Sequence, residues 1–177
     1  MPKFSLSVLP LFIVIFLLAF SGTVGAMDRV IQEPDAFVAS AFSEKPQVKS
    51  IWITKNVQAQ VVRILGHGPN QLRQRYWSDG MKTLWILEEI GKEDLITAGF
   101  VVLDGKIEQA KVLIYRESRG MEVRYPAFLN QFKGLSLNND NQLERSIDGI
   151  SGATLSVHAM ERMARTALFY DQLSKVK

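Results

Sequence analysis

The chain of 177 residues has no cysteine and only two histidines. The first absence excludes disulfides, thiolate zinc or iron–sulfur sites, a c-type haem attachment and a lipid-bearing cysteine. The second leaves His67 and His158 each without another histidine or a cysteine at ligand spacing, so no metal site is expected. A strong charge of one sign is lacking too: 21 Lys and Arg stand against 18 Asp and Glu, too even a balance to argue for nucleic acid. Acids that could pair for hydrolysis are few. Glu88 and Glu89 are adjacent near a strand end, where a solvated edge is expected, and no nucleophile stands beside a base. Repeats, low-complexity tracts and linkers are also missing.

What is present begins at the N-terminus. Lys3 is followed by an uncharged stretch to Met27, apolar throughout from Val8 to Phe20 and closed by small residues from Ser21 to Ala26. A short basic start, an apolar centre and a small-x-small end describe a secretory signal peptide, cleaved after Ala26 with Val24 and Ala26 as the recognised pair. An uncleaved membrane anchor is the competing reading, because the stretch approaches bilayer-spanning length. The expected location is periplasmic, and residues 27–177 are expected to form one domain.

Glu33-Pro34-Asp35 opens a first helix that carries Phe37, Val38, Ala41 and Phe42 on one face. Ile51-Trp52-Ile53 reads as a short strand, and Asn56 is placed to cap a second helix that Gly66 and Gly68 end near Leu65. Two hairpins follow, turning at Ser78-Asp79-Gly80 and at Asp104-Gly105. Trp77, Trp85, Phe100 and Tyr115 supply bulk for the sheet. Pro126 starts a short helix through Phe132, closed by Gly134, with Phe128 and Phe132 read as core. The last helix, about Thr154 to Leu173, turns Leu155, Met160, Met163, Ala167 and Leu168 toward the sheet. The predicted class is α+β, an antiparallel sheet covered by helices.

Just before that last helix the chain reads Asp148-Gly149-Ile150-Ser151-Gly152-Ala153-Thr154. Two glycines and two hydroxyls in seven residues admit several uses. Ser151 or Thr154 can cap the helix while Gly152 makes the turn. The same helix start offers unpaired N–H donors and a partial positive charge to a phosphate. A hydroxyl there can also carry a covalent group. Gly152 and Ala153 leave room for a bulky ligand. The segment has neither the Gly-Lys-Ser/Thr of a nucleotide P-loop nor a Rossmann turn, so a phosphate held here belongs to another scheme.

Asp148-x-x-Ser151-Gly152-Ala153-Thr154 resembles the flavinylation motif of FMN-binding domains, as found in the C subunit of the sodium-translocating NADH:quinone oxidoreductase and the G subunit of the Rnf complex. Upstream, Glu117-Ser118-Arg119-Gly120 occupies the place of that family's Glu-Thr-Pro-Gly turn, with Arg119 departing from the proline. The resemblance implies that a flavin transferase moves FMN from FAD onto the Thr154 hydroxyl, leaving a phosphoester. It implies that Gly120 lets the chain approach the flavin closely, while Asp148 either orients the turn for the transferase or is an ordinary turn aspartate. Arg116, Arg119 and Arg124 then either face the flavin or form a solvated rim with Glu117 and Glu122. The partners implied are the transferase and a membrane-bound or periplasmic redox partner. The chain is expected to transfer electrons rather than act as an independent enzyme. The rival readings are a non-covalent FMN-binding module, a reductase of a small acceptor, and a cofactor-free periplasmic adaptor domain.

Overall fold

The computed structural model describes residues 29–176; the expected signal segment lies outside the described residues. The elements are β1 (Arg29–Val30), α1 (Pro34–Ala41), β2 (Gln47–Trp52), α2 (Lys55–Leu65), β3 (Arg73–Ser78), β4 (Lys82–Ile90), β5 (Leu95–Leu103), β6 (Lys106–Tyr115), α3 (Pro126–Leu129) and α4 (Thr154–Lys175). Short 3-10 turns occupy Met121–Arg124 and Asn130–Phe132. The strands form one open antiparallel sheet in the order β1-β6-β5-β4-β3-β2. This is the α+β architecture that the sequence predicts, extended by β1 at one edge and by a longer β2 at the other.

Local chemistry explains the turns. Between β3 and β4, Asp79 Oδ1 accepts the N–H groups of Met81 at 3.0 Å and Lys82 at 2.9 Å, while Gly80 takes a φ of 98°. The hydrogen bond from Lys82 N–H holds the Asp79 carboxyl below its ordinary value. Between β5 and β6, Asp104 and Gly105 both have positive φ, 51° and 74°, as a two-residue hairpin loop of primed type requires. Gly66 ends α2 in the left-handed conformation. At its other end α2 begins after Thr54 rather than Asn56, with no side-chain cap; Asn56 falls inside the first turn.

Helix α4 lies along one face of the sheet and buries Met160, Met163, Ala164, Ala167 and Leu168 against Trp85, Phe100 and their neighbours. Phe128 and Phe132 join this core, their rings edge-on at 5.5 Å. The other face is covered only in part. α1 seats Phe37 against Gly99 of β5, where a Cβ would stand 2.3 Å from the phenyl ring. The expected burial of Leu155 is not observed: it is exposed, because in the first turn of α4 the buried face runs through Ser156 and Val157 instead.

Two polar clasps set the position of α4 along β4. At one end the buried Asp171 carboxylate accepts from Thr83 Oγ1 at 2.7 Å and pairs with Lys175 Nζ at 2.7 Å. At the other, Glu89 receives Arg162 Nη2 at 3.0 Å and His67 Nε2 at 3.1 Å. The sequence predicts a solvated edge for both Glu88 and Glu89. Glu88 is exposed, but Glu89 is 3% exposed, because alternation along β4 turns it inward, where Arg162 and the His67 ring meet it.

Candidate functional site

β6 ends at Tyr115, and the turn that follows is pressed against the start of α4. Gly120 has a φ of 77°; a Cβ there would lie 3.0 Å from Ala153 Cβ, 3.1 Å from Tyr115 Oη and 3.2 Å from Ser156 Oγ. Only glycine combines this backbone with so close an approach. The Tyr115 hydroxyl acts as a strut. It donates to the Arg119 carbonyl at 2.5 Å and lies 3.3 Å from Ser156 Oγ. Burial pushes its phenol up from the ordinary value, so it stays a neutral donor.

Glu117 is buried, and its Oε1 accepts the N–H groups of Lys92, of Glu93 at 2.8 Å and of Asp94 at 3.1 Å. One carboxylate oxygen thereby fastens the β4–β5 turn to the loop after β6. The approach is close enough that a Cβ at Gly91 would stand 2.6 Å from that oxygen. Glu117 is thus turned toward the main chain, and Ser118 and Arg119 beside it are exposed.

At the start of α4 the N-cap residue is Ala153, and no side chain caps the helix. Neither Ser151 nor Thr154 plays the capping role open to them in the sequence; both are exposed. Gly152 takes a φ of 79° with open space where a Cβ would be. Ala153 is 4% exposed and faces Gly120, so its small size serves the contact between loop and helix rather than an approach from outside. Asp148 is exposed, and its main-chain N–H donates to Gln131 Oε1 at 2.7 Å.

These pieces enclose a groove of about 410 Å³, lined by Arg29 of β1, the run Ser118 to Glu122, and Ser151 with Gly152. The lining reaches Gly152, and Thr154 follows as the first residue of α4. Of the three arginines in the upstream cluster, Arg119 lines the groove. Arg116 donates to Thr97 Oγ1 at 3.0 Å, and Arg124 stacks over Tyr125 at 5.4 Å. Sequence reasoning missed Arg29, Tyr115 and Ser156 as parts of this arrangement. Arg29 carries no local signal, since only the pairing of β1 with β6 brings it here. Among the described residues no cluster of His, Cys, Asp and Glu could hold a metal ion.

A larger cavity, about 590 Å³, lies where β3 and β4 diverge. Those strands pair only at Trp77–Leu84 and Ser78–Thr83, and the Gln74 amide bridges beyond, 3.0 Å from the Arg75 carbonyl and 3.4 Å from that of Ile86. The start of α1, at Pro34 and Asp35, lines this cavity, but the hydroxyl-rich segment does not. The smaller groove is the candidate site because motif, helix N-terminus and arginines converge there. Its volume suits a cofactor, and its donors suit an anion: two arginines beside a helix start with no side-chain cap.

No curated protein matches the chain significantly. Residues 91–169 match the model of the FMN-binding domain family. The matched segment opens at Gly91, packed on Glu117, and takes in Gly120, the Asp148–Thr154 segment and most of α4. Residues 91–169 thus form an FMN-binding domain, which supports an FMN-binding protein.

Proposed function

We propose that the protein is an exported flavoprotein that carries FMN covalently, through a phosphoester to Thr154, and passes electrons between partners. The observation that carries this reading is the helix start without a side-chain cap. A segment rich in hydroxyls precedes α4, yet the N-cap is an alanine and Thr154 stands exposed beside a groove with two arginines. Capping therefore does not account for the hydroxyls, and attachment does.

Arg29 and Arg119 would hold the phosphate end, and the loop from Ser118 to Glu122 would flank the ring. FMN supplies one- and two-electron chemistry when bound. The chain's own residues fix position: Tyr115 and Gly120 hold loop to helix, and Glu117 holds the loop to the β4–β5 turn. Attachment requires the Thr154 hydroxyl to attack the FMN phosphorus of FAD. The P–O bond to AMP breaks, AMP leaves, and the hydroxyl proton passes to a base. A threonine hydroxyl is a poor nucleophile, so the base and metal ions belong to the flavin transferase. Export is supported by the apolar stretch Val8–Phe20 and the small residues that close it. A covalent link suits an exported protein, from which free flavin would be diluted away.

The test is flavin fluorescence in a denaturing gel after co-expression with an active transferase. A fluorescent band is expected. Native protein that is yellow but gives a dark band would mean non-covalent FMN. Colourless protein would mean a cofactor-free adaptor.

A further inference from the structure

From Lys45 to Ser78 the chain has no Asp or Glu, while Lys45, Lys49, Lys55, Arg63, Arg73 and Arg75 all fall in this stretch. It comprises β2, α2 and β3 at one edge of the sheet, and it lies outside the segment that matches the FMN-binding domain. All six cations are exposed. Among the described residues none of them enters an ion pair.

The antiparallel register sorts these side chains. Trp52 is opposite Arg73, Ser50 opposite Arg75 and Val48 opposite Trp77, so these six share one sheet face. It is the face that α1 covers over β4 and β5 but not over β2. Arg73 lies over the Trp52 ring at 5.8 Å and Arg75 over the Trp77 ring at 4.9 Å. Trp52 is 68% exposed and Val48 62%. Lysines on an edge strand are an ordinary guard against strand pairing. That accounts for Lys49, but not for arginines on the inner strand β3, nor for a bare tryptophan and valine between them.

We infer that this uncovered face docks on the headgroup layer of an anionic phospholipid bilayer. Trp52 and Val48 enter the interface while Arg73 and Arg75 meet lipid phosphates. Tryptophan and cations on one flat surface are what the membrane interface selects. An acidic redox partner is disfavoured by place. The groove is built at the β1–β6 edge, about 24 Å across the sheet from β2 at roughly 4.8 Å per strand, and an electron-transfer partner should dock near the flavin. Membrane docking at β2 leaves the groove, at the far side of the sheet, open to soluble partners.

Tryptophan emission tests this, because Trp77 and Trp85 are buried and Trp52 is not. The full chain is mixed with phosphatidylcholine vesicles containing roughly a quarter phosphatidylglycerol, brominated near the headgroup. Quenching is expected, lost in Trp52→Phe and weakened by salt. Each of Arg73→Gln and Arg75→Gln should weaken the lipid dependence about fivefold, with the melting temperature unchanged. Equal quenching on pure phosphatidylcholine would overturn the proposal, since a tether elsewhere in the chain would explain it. No quenching on the anionic vesicles would overturn it too. An equal, salt-sensitive response to soluble polyglutamate would transfer the face to an acidic protein partner.

Discussion

At the β6 edge of the sheet, charge is engaged within the molecule: Glu117 accepts three main-chain N–H groups, and Arg116 reaches Thr97. At the β2 edge six cations stand exposed without an ion pair among the described residues. The first arrangement holds a loop to a helix and shapes a groove. The second makes only exposed contacts, Arg73 over Trp52 and to Ser50 Oγ and Arg75 over Trp77, and leaves its charge unneutralised for use outside. Buried carboxylates with three donors are expensive to disturb, whereas exposed cations contribute little to folding. The two edges should therefore respond to mutation in opposite ways.

Glu117→Ala gives the largest expected loss of stability, about 3 kcal/mol, because three main-chain donors lose their acceptor; chemical denaturation measures it. Glu117→Gln keeps one oxygen acceptor and should cost less. Gly120→Ala comes next, at about 2 kcal/mol, since it adds backbone strain to a Cβ that meets Ala153, Tyr115 and Ser156. It should also reduce flavin loading in proportion as the loop lifts from α4. Gly152→Ala shares the positive φ but has open space around it, so only the backbone term of about 1 kcal/mol applies. A Gly152→Ala loss as large as that of Gly120→Ala would contradict the packing described for the loop. The Arg73→Gln, Arg75→Gln pair should change stability by less than about 0.5 kcal/mol. A large loss there would erase the contrast between the two edges.

The smallest effect concerns pH. Burial raises the Tyr115 phenol, so folding favours its neutral form. That contribution is complete below the unfolded value of about 10 and is lost as pH rises through the folded one. Tyr115→Phe should flatten the alkaline decline of a melting curve measured against pH.

The hairpins were legible because Asp79-Gly80 and Asp104-Gly105 state their turn chemistry locally. The hydroxyl-rich segment was legible for the same reason. Arg29 was not, because β1 has two residues and acquires meaning only beside β6. Glu89 was misread because its burial depends on His67 and Arg162, distant in sequence and joined by the packing of α2 against α4 and of α4 on β4. Leu155 was misread because, one residue before the buried Ser156 and Val157, it lies off the face that the first turn of α4 buries. Glu117 and Ala153 are expected from the resemblance to meet the cofactor, yet their contacts point inward to the main chain and to Gly120, which no spacing rule reveals.

The central claim is that Thr154 carries the flavin, and intact-mass measurement of wild type and Thr154→Ala, each made with an active flavin transferase, tests it most directly. The account predicts a gain of one FMN less one water on the wild type and no gain on the variant. Ser156 is buried against Tyr115, which leaves Ser151 as the other exposed hydroxyl in the segment. The same adduct on Thr154→Ala would contradict the claim and move the attachment to Ser151.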